Sequence, residues 1–237
     1  MKTKAGLAAT LLLALSAAAV AEPLTFGLFE SNPSRREKFE RFYLIGEKLQ
    51  AFELGKKRVA LPPGNWLISE VETDAPDVTE EGGNTVVSET ADAWLSVQDV
   101  DGGDVISFST GLSPLNTRMS FTQLIGACQK ASQWEAEGWT TVSQQQDSLR
   151  EDRQSCARVS ARLERSRSGE WQLLLLTSMM ESWKADYLGM DRVHKVAVAE
   201  GDKLETLLQQ PAIRSYVDSQ LRWGVQTKAD IARQMGW

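Results

Sequence analysis

The stretch from Ala157 to Met180, ARVSARLERSRSGEWQLLLLTSMM, limits the possible folds more than any other part of the chain. Ala157, Val159, Ala161 and Leu163 alternate with Arg158, Ser160, Arg162 and Glu164. A period of two sorts these residues onto the two faces of a strand, and no helical face reproduces it. The alternation predicts a half-buried strand with its apolar set inward. Ser166 to Gly169 supplies turn residues, and the run after it carries four consecutive leucines, Leu173 to Leu176. An unbroken apolar strand is covered on both faces, so it belongs in the middle of a sheet.

Further strands follow from the same reasoning. Trp94 to Val100 and Val105 to Thr110 read as a hairpin joined through DGG, with Asp99 to Asp104 as its turn. In RVALPPGNWLIS, Val59 and Leu61 alternate with polar or small neighbours before Pro62, Pro63 and Gly64 interrupt the run. Pro63-Gly64 suits a type II turn, in which glycine supplies a positive φ. Residues 73–84 read as an acidic solvated loop and Gln144 to Gln154 as a polar loop or exposed helix. Around RVHKVAVAEG, both a short strand and a helix extended from Glu181 fit.

Helical spacing appears in three places. Ser34 to Gln50 places Phe39, Phe42, Ile45 and Leu49 on one face after a serine cap. Met119 to Trp134 gathers apolar residues on one face and stops at Gly138, which makes it the expected main packing helix. From Asp202 onward the pattern is helical, with Pro211 at a helix start. The expected fold is therefore α+β, an antiparallel sheet of about five to seven strands packed by one main helix. A leader at residues 1–21, a partly helical lead segment at 22–56, a core at 57–200 and a helical C-terminal segment at 201–237 complete the expected organisation.

The leader rests on Lys2 and Lys4, an apolar stretch from Leu7 to Leu15, and Ala19-Val20-Ala21 before the expected cut. That stretch falls short of the roughly 20 apolar residues of a spanning helix, and no later segment reaches that length. A bacterial periplasm is the expected location, full secretion being the other destination such a leader allows. The whole chain carries a net charge of −6, and loss of the leader leaves 24 basic against 32 acidic residues, a balance of −8. General nucleic-acid binding is unfavourable for such a chain, because it needs phosphate-neutralising cations. Cys128 and Cys156 are its two cysteines. In an oxidising compartment, without the CxxC spacing of redox pairs, they are expected to form a structural disulfide.

Signals for chemistry are sparse. DVDGGD at Asp99 to Asp104 begins like a calcium loop, but Asp104 and Thr110 occupy the positions where glycine and glutamate are required. His194 is the single histidine, which excludes multi-histidine metal centres. No GxSxG, GxGxxG or phosphate-loop motif is present. TKADIARQMG opens like a helix-turn-helix, but the expected export and the acidic balance argue against that reading. No catalytic residue, metal or cofactor is assigned. Of the eight tryptophans, Trp66, Trp94, Trp134 and Trp171 lie in apolar patterns and are expected in the core or half-buried at its edge, while Trp139, Trp183 and Trp223 are candidates to line a ligand groove. The leading expectation is a soluble exported binding protein of the envelope, acting on a protein partner or a glycan. The alternative is an envelope hydrolase using paired carboxylates, or a serine with His194.

Overall fold

Long alternating strands fold stably once both of their faces have cover, and three layers provide it here. The computed structural model describes residues 23–75, 78–81, 84–87, 91–112, 124–150, 152–184 and 186–237. The expected leader lies outside these residues, as does the 113–123 portion of the expected main helix. In chain order the elements are α1 (Asn32–Phe42), β1 (Ala51–Leu54), β2 (Lys57–Ala60), β3 (Trp66–Asp74), β4 (Val78–Glu81), β5 (Asn84–Val87), β6 (Asp92–Asp99) and β7 (Val105–Gly111). A 3-10 turn at Gly126–Cys128 follows, then α2 (Ala131–Ala136), β8 (Thr140–Arg150), β9 (Arg153–Arg165), β10 (Trp171–Trp183), β11 (Asp186–Ala197), α3 (Leu204–Leu207) and α4 (Pro211–Met235).

Seven strands form one antiparallel sheet in the order β3-β6-β7-β11-β10-β9-β8. Strands β8 to β11 are a meander, and β11 closes onto β7 so that the two hairpin systems become one surface. The protein is α+β and mostly sheet, with a helical C-terminus, as the periodicities imply. Among the described residues, no helix is long and apolar enough to cross a membrane.

One face of the sheet carries α1, the β1–β2 hairpin and α4. Phe39, Tyr43, Phe52 and Phe108 stack in sequence from α1 down to the sheet, with centroids 5.0, 5.9 and 4.7 Å apart. Helix α4 is a single 25-residue element laid across β8, β9 and β10, its Ile213, Val217 and Ile231 buried. It begins at Pro211 and ends at Gly236, whose φ of 73° gives the left-handed cap that glycine adopts without strain. At Gly224 the helix runs so close to the sheet that an added Cβ would lie 3.4 Å from the Ala157 Cβ. Glycine costs helix propensity there but permits the close approach.

The opposite face differs in character. Its β8–β10 end is covered by the 3-10 turn and α2, pinned by the Cys128–Cys156 disulfide, whose Cα atoms are 5.3 Å apart. Beneath them Arg158 is 1% exposed, donates to the Gln129 carbonyl at 2.7 Å, and sits 5.2 Å from the Trp134 ring. Strand β9 is therefore buried on both faces up to Ala161, not half-buried. The alternation separated the faces correctly, but it carries no information on whether a polar face is roofed.

Several expectations need correction. The packing helix is α4, since the stretch around Cys128 forms a 3-10 turn at Gly126 (φ 50°) and then only the six-residue α2. Gly138 does stop α2, at φ 80°. Helix α1 is capped by Ser31 and ends at Phe42, because Tyr43 turns extended and donates its hydroxyl to the Glu53 carbonyl at 2.6 Å. Ile45 and Phe42 are accordingly exposed. Residues 73–84 include the end of β3, all of β4 and the first residue of β5, and Gln144 to Gln154 includes most of the edge strand β8 and the start of β9. Trp94 is 37% exposed, since Ala93, Leu95 and Val97 hold the inward phase of β6.

Gly64 lacks the positive φ of a type II turn. An added Cβ would lie 2.8 Å from the Trp66 indole nitrogen, which donates to the Pro62 carbonyl at 2.8 Å. Glycine is needed at Gly64 for space, and Trp66 fills the core at 3% exposure. Asp99 closes the β6–β7 turn as expected, accepting from the amides of Asn65 and Gly102 at 2.9 and 3.1 Å.

Candidate functional site

The phase of each strand decides which polar side chains meet α4. Ser155 shares its face with Ala157, Val159 and Ala161, and Glu181 shares its face with Leu175, Thr177 and Met179. The register pairs Ser155 with Glu181 directly across β9 and β10. From above, Lys228 projects from the buried stripe of α4, one turn beyond Gly224 and one before Ile231. A lysine on such a stripe must find oxygen partners or lose its charge.

Lys228 finds them. Its Nζ forms an ion pair with Asp147 on β8 and donates to the Ser155 Oγ at 3.2 Å. Ser155 in turn donates to Glu181 Oε2 at 2.5 Å, and Arg153 approaches Glu181 Oε1 at 3.5 Å. Burial pushes the Glu181 carboxyl above its ordinary value, opposed by the Ser155 hydrogen bond and the charges of Arg153 and Lys228. The hydrogen bond from Lys228 holds the more exposed Asp147 below the ordinary carboxylate range.

This network is the inner wall of a cleft of about 740 Å³ between the ends of β8–β10 and the last turns of α4. Arg150, Arg153, Lys228 and Arg233 line it against Asp147 and Glu181. Arg150 and Arg233 are paired to Asp152 and Asp230, but these pairs are exposed. Exposed pairs are worth about 0–1 kcal/mol, so an incoming anion displaces them at little cost.

A second cavity, of about 340 Å³, opens on the other side of Trp237. Phe26, Leu54, Met235 and Trp237 give it apolar walls, and the buried Lys57–Asp186 ion pair is part of its lining. Lys57 also donates to Thr110 Oγ1 at 2.8 Å and to the Tyr187 carbonyl at 3.0 Å.

The three candidate tryptophans occupy three separate places. Trp139 is 8% exposed on the opposite face of the sheet, packed with Trp134, Leu174 and Leu176, and the Arg162 guanidinium lies 4.3 Å from its ring. Trp223 packs from α4 against the core, with Arg192 at 5.5 Å. Trp183 is next to the cleft, since the guanidinium over its ring, at 5.7 Å, belongs to Arg153. An arginine over each ring takes up a face that a sugar would need.

His194 lies on β11, the middle strand of the seven, and not at an edge. Its Nδ1 is 2.6 Å from Asp104 Oδ1, its ring stacks on Tyr216 at 4.4 Å, and Arg192 grips the other Asp104 oxygen at 2.9 and 2.7 Å. Burial raises the Asp104 carboxyl, and hydrogen bonds from His194 and Arg192 outweigh it, holding the group below its ordinary value. Among the described residues, no serine hydroxyl is bonded to His194, and no group of three or more metal-ligating side chains occurs.

Sequence reasoning missed Lys228, Ser155 and Glu181, although the phases that place them were legible. Each is a polar residue at an inward position of an otherwise apolar series. Which three would converge was not legible. Comparison of the chain with protein-family models, with curated proteins and with solved structures returns no match.

Proposed function

We propose that this protein is exported and acts in the cell envelope as a non-catalytic binding protein, taking an anionic ligand in the cleft beneath α4. The observation that carries this reading is the excess of cations lining the cleft, set in a chain whose overall balance is −6. A concave site whose lining carries more cations than carboxylates favours negatively charged ligands. The volume falls in the roughly 300–1,000 Å³ range of small-ligand sites. The disulfide is compatible with an extracellular or periplasmic location. Arg153 is the expected main contact, since it faces the cleft and is preoriented against Trp183.

Calorimetric titration of the full mature chain with methyl phosphate tests the reading. Saturable binding is expected, weakened roughly tenfold to a hundredfold by Arg153→Gln, in line with the 1.5–3 kcal/mol of a hydrogen bond to a charged group. Absence of saturable binding by the unmodified chain would sink the proposal.

A second reading, hydrolysis, is favoured by one observation: Ser155 is held between a carboxylate and an ammonium. In that reading Glu181 takes the Oγ proton as the Oγ–C bond to an ester carbonyl forms, and the proton passes to the departing alkoxide as its C–O bond breaks. Water then releases the acyl group, with Glu181 accepting its proton and returning it to Oγ. This arrangement supplies the serine and the carboxylate of a hydrolase without His194. On this second reading, and not on the first, incubation with an alkyl fluorophosphonate adds one phosphonyl group, lost in Ser155→Ala. A mass unchanged after prolonged incubation ends the hydrolase reading.

A further inference from the structure

The strand ends beneath the two cavities form one rim. The β8–β9 turn brings Arg150 and Arg153, the β10–β11 turn brings Trp183 and Asp186 as a cross-strand pair, and β7 ends beside them at Gly111. The two turns are tied together, since the Lys184 amide donates to the Asp152 carbonyl at 2.7 Å. Across this rim lies the end of α4. Ala229, Ala232 and Arg233 face the cationic cleft, Met235 faces the smaller cavity, and Trp237 lines both.

The two halves differ in chemistry. One presents four cations against two carboxylates. The other presents Phe26, Leu54, Met235 and Trp237 as apolar surface, and its Lys57 and Asp186 neutralise each other, which leaves the exposed Lys56 as the remaining charge in its lining. We propose that the two cavities are one site for a single-chain amphiphile, with a phosphate or carboxylate head in the cationic cleft and its alkyl chain passing Trp237 into the smaller cavity. The proposal rests on the anion reading above and adds the ligand class to it. Charge complementarity orients the head, and burial of the chain supplies affinity in proportion to the apolar area covered, about 25 cal/mol per Å² before binding costs.

Three probes are titrated into the full mature chain below their micellar concentrations: methyl phosphate, dodecyl phosphate and dodecyl maltoside. Dodecyl phosphate is expected to bind at least tenfold tighter than methyl phosphate, with dodecyl maltoside weaker than dodecyl phosphate. Phe26→Ser, which adds no charge and lies outside the lining of the cationic cleft, is expected to erase the alkyl gain while methyl phosphate still binds as before. Met235→Gln, likewise neutral, serves as the second variant should Phe26→Ser fail to fold. Equal affinities for the two phosphates would overturn the amphiphile and leave the anion reading standing. Dodecyl maltoside binding as tightly as dodecyl phosphate would overturn it as well, because the head would then go unread. Failure of both phosphates to bind removes both proposals together.

Discussion

Replacing Lys57 by methionine is expected to destabilise the protein by about 3–5 kcal/mol, the usual cost of removing one partner from a buried ion pair. The Lys57 and Asp186 side chains are 4% and 11% exposed, and Thr110 and Tyr187 complete the lysine's hydrogen bonds. Methionine fills the space of the lysine stem but leaves the Asp186 carboxylate without its counter-charge in a poorly solvated place. Urea denaturation of the two proteins side by side measures the difference. The double variant Lys57→Met/Asp186→Leu is expected to regain most of the loss, since a well-packed apolar pair replaces a buried ion pair at little or no cost. A single-variant loss below 1 kcal/mol would show that the pair is solvated in the folded protein.

Loss of the disulfide is the second large effect. Cys128 and Cys156 close a loop with a sequence separation of 28. In the chain-entropy account this bridge contributes about 3–4 kcal/mol by restricting the unfolded chain. For a chain of this size each kcal/mol moves the melting temperature by roughly 2–4 °C, so Cys128→Ala/Cys156→Ala is expected to melt about 10 °C lower. The loss has a local route. The bridge anchors the 3-10 turn that leads into α2, and Trp134 of α2 roofs the buried Arg158 guanidinium. Loosening that roof admits water to a charged group that the fold otherwise keeps dry. Intact protein denatured without reductant is expected to show no free thiol. An unchanged melting temperature after reduction would mean that the segment is held by its packing instead.

The same distinction between local pattern and long-range pairing runs through the site. Inward phases for Ser155 and Glu181 follow from the alternation around them, and the inward position of Lys228 follows from its spacing to Gly224 and Ile231. Those three phases were readable before any coordinates. Their convergence depends on β9 and β10 pairing in one register and on α4 lying across that pair, which brings Lys228 to Ser155 over a separation of 73 residues. Arg158 and Glu181 illustrate the difficulty. Each is a charged residue in a strand, yet both are 1% exposed, because other elements cover them.

The sequence by itself determined the class of fold, the hairpin at Asp99 to Asp104, the central placement of Leu173 to Leu176, the glycine stop at Gly138 and the pairing of the cysteines. All of these rest on residue periodicity, on turn chemistry, or on there being only two cysteines to pair. Tertiary structure alone decided that α4 is the packing helix, that Trp94 faces outward, that His194 is engaged with Asp104, and that Trp237 stands between two cavities. A period states which residues share a face, and it is the same whether that face meets water, a helix or another strand. What covers each face is settled by contacts between residues far apart in the chain, and the cationic cleft exists only where those contacts bring α4 onto the ends of β8, β9 and β10.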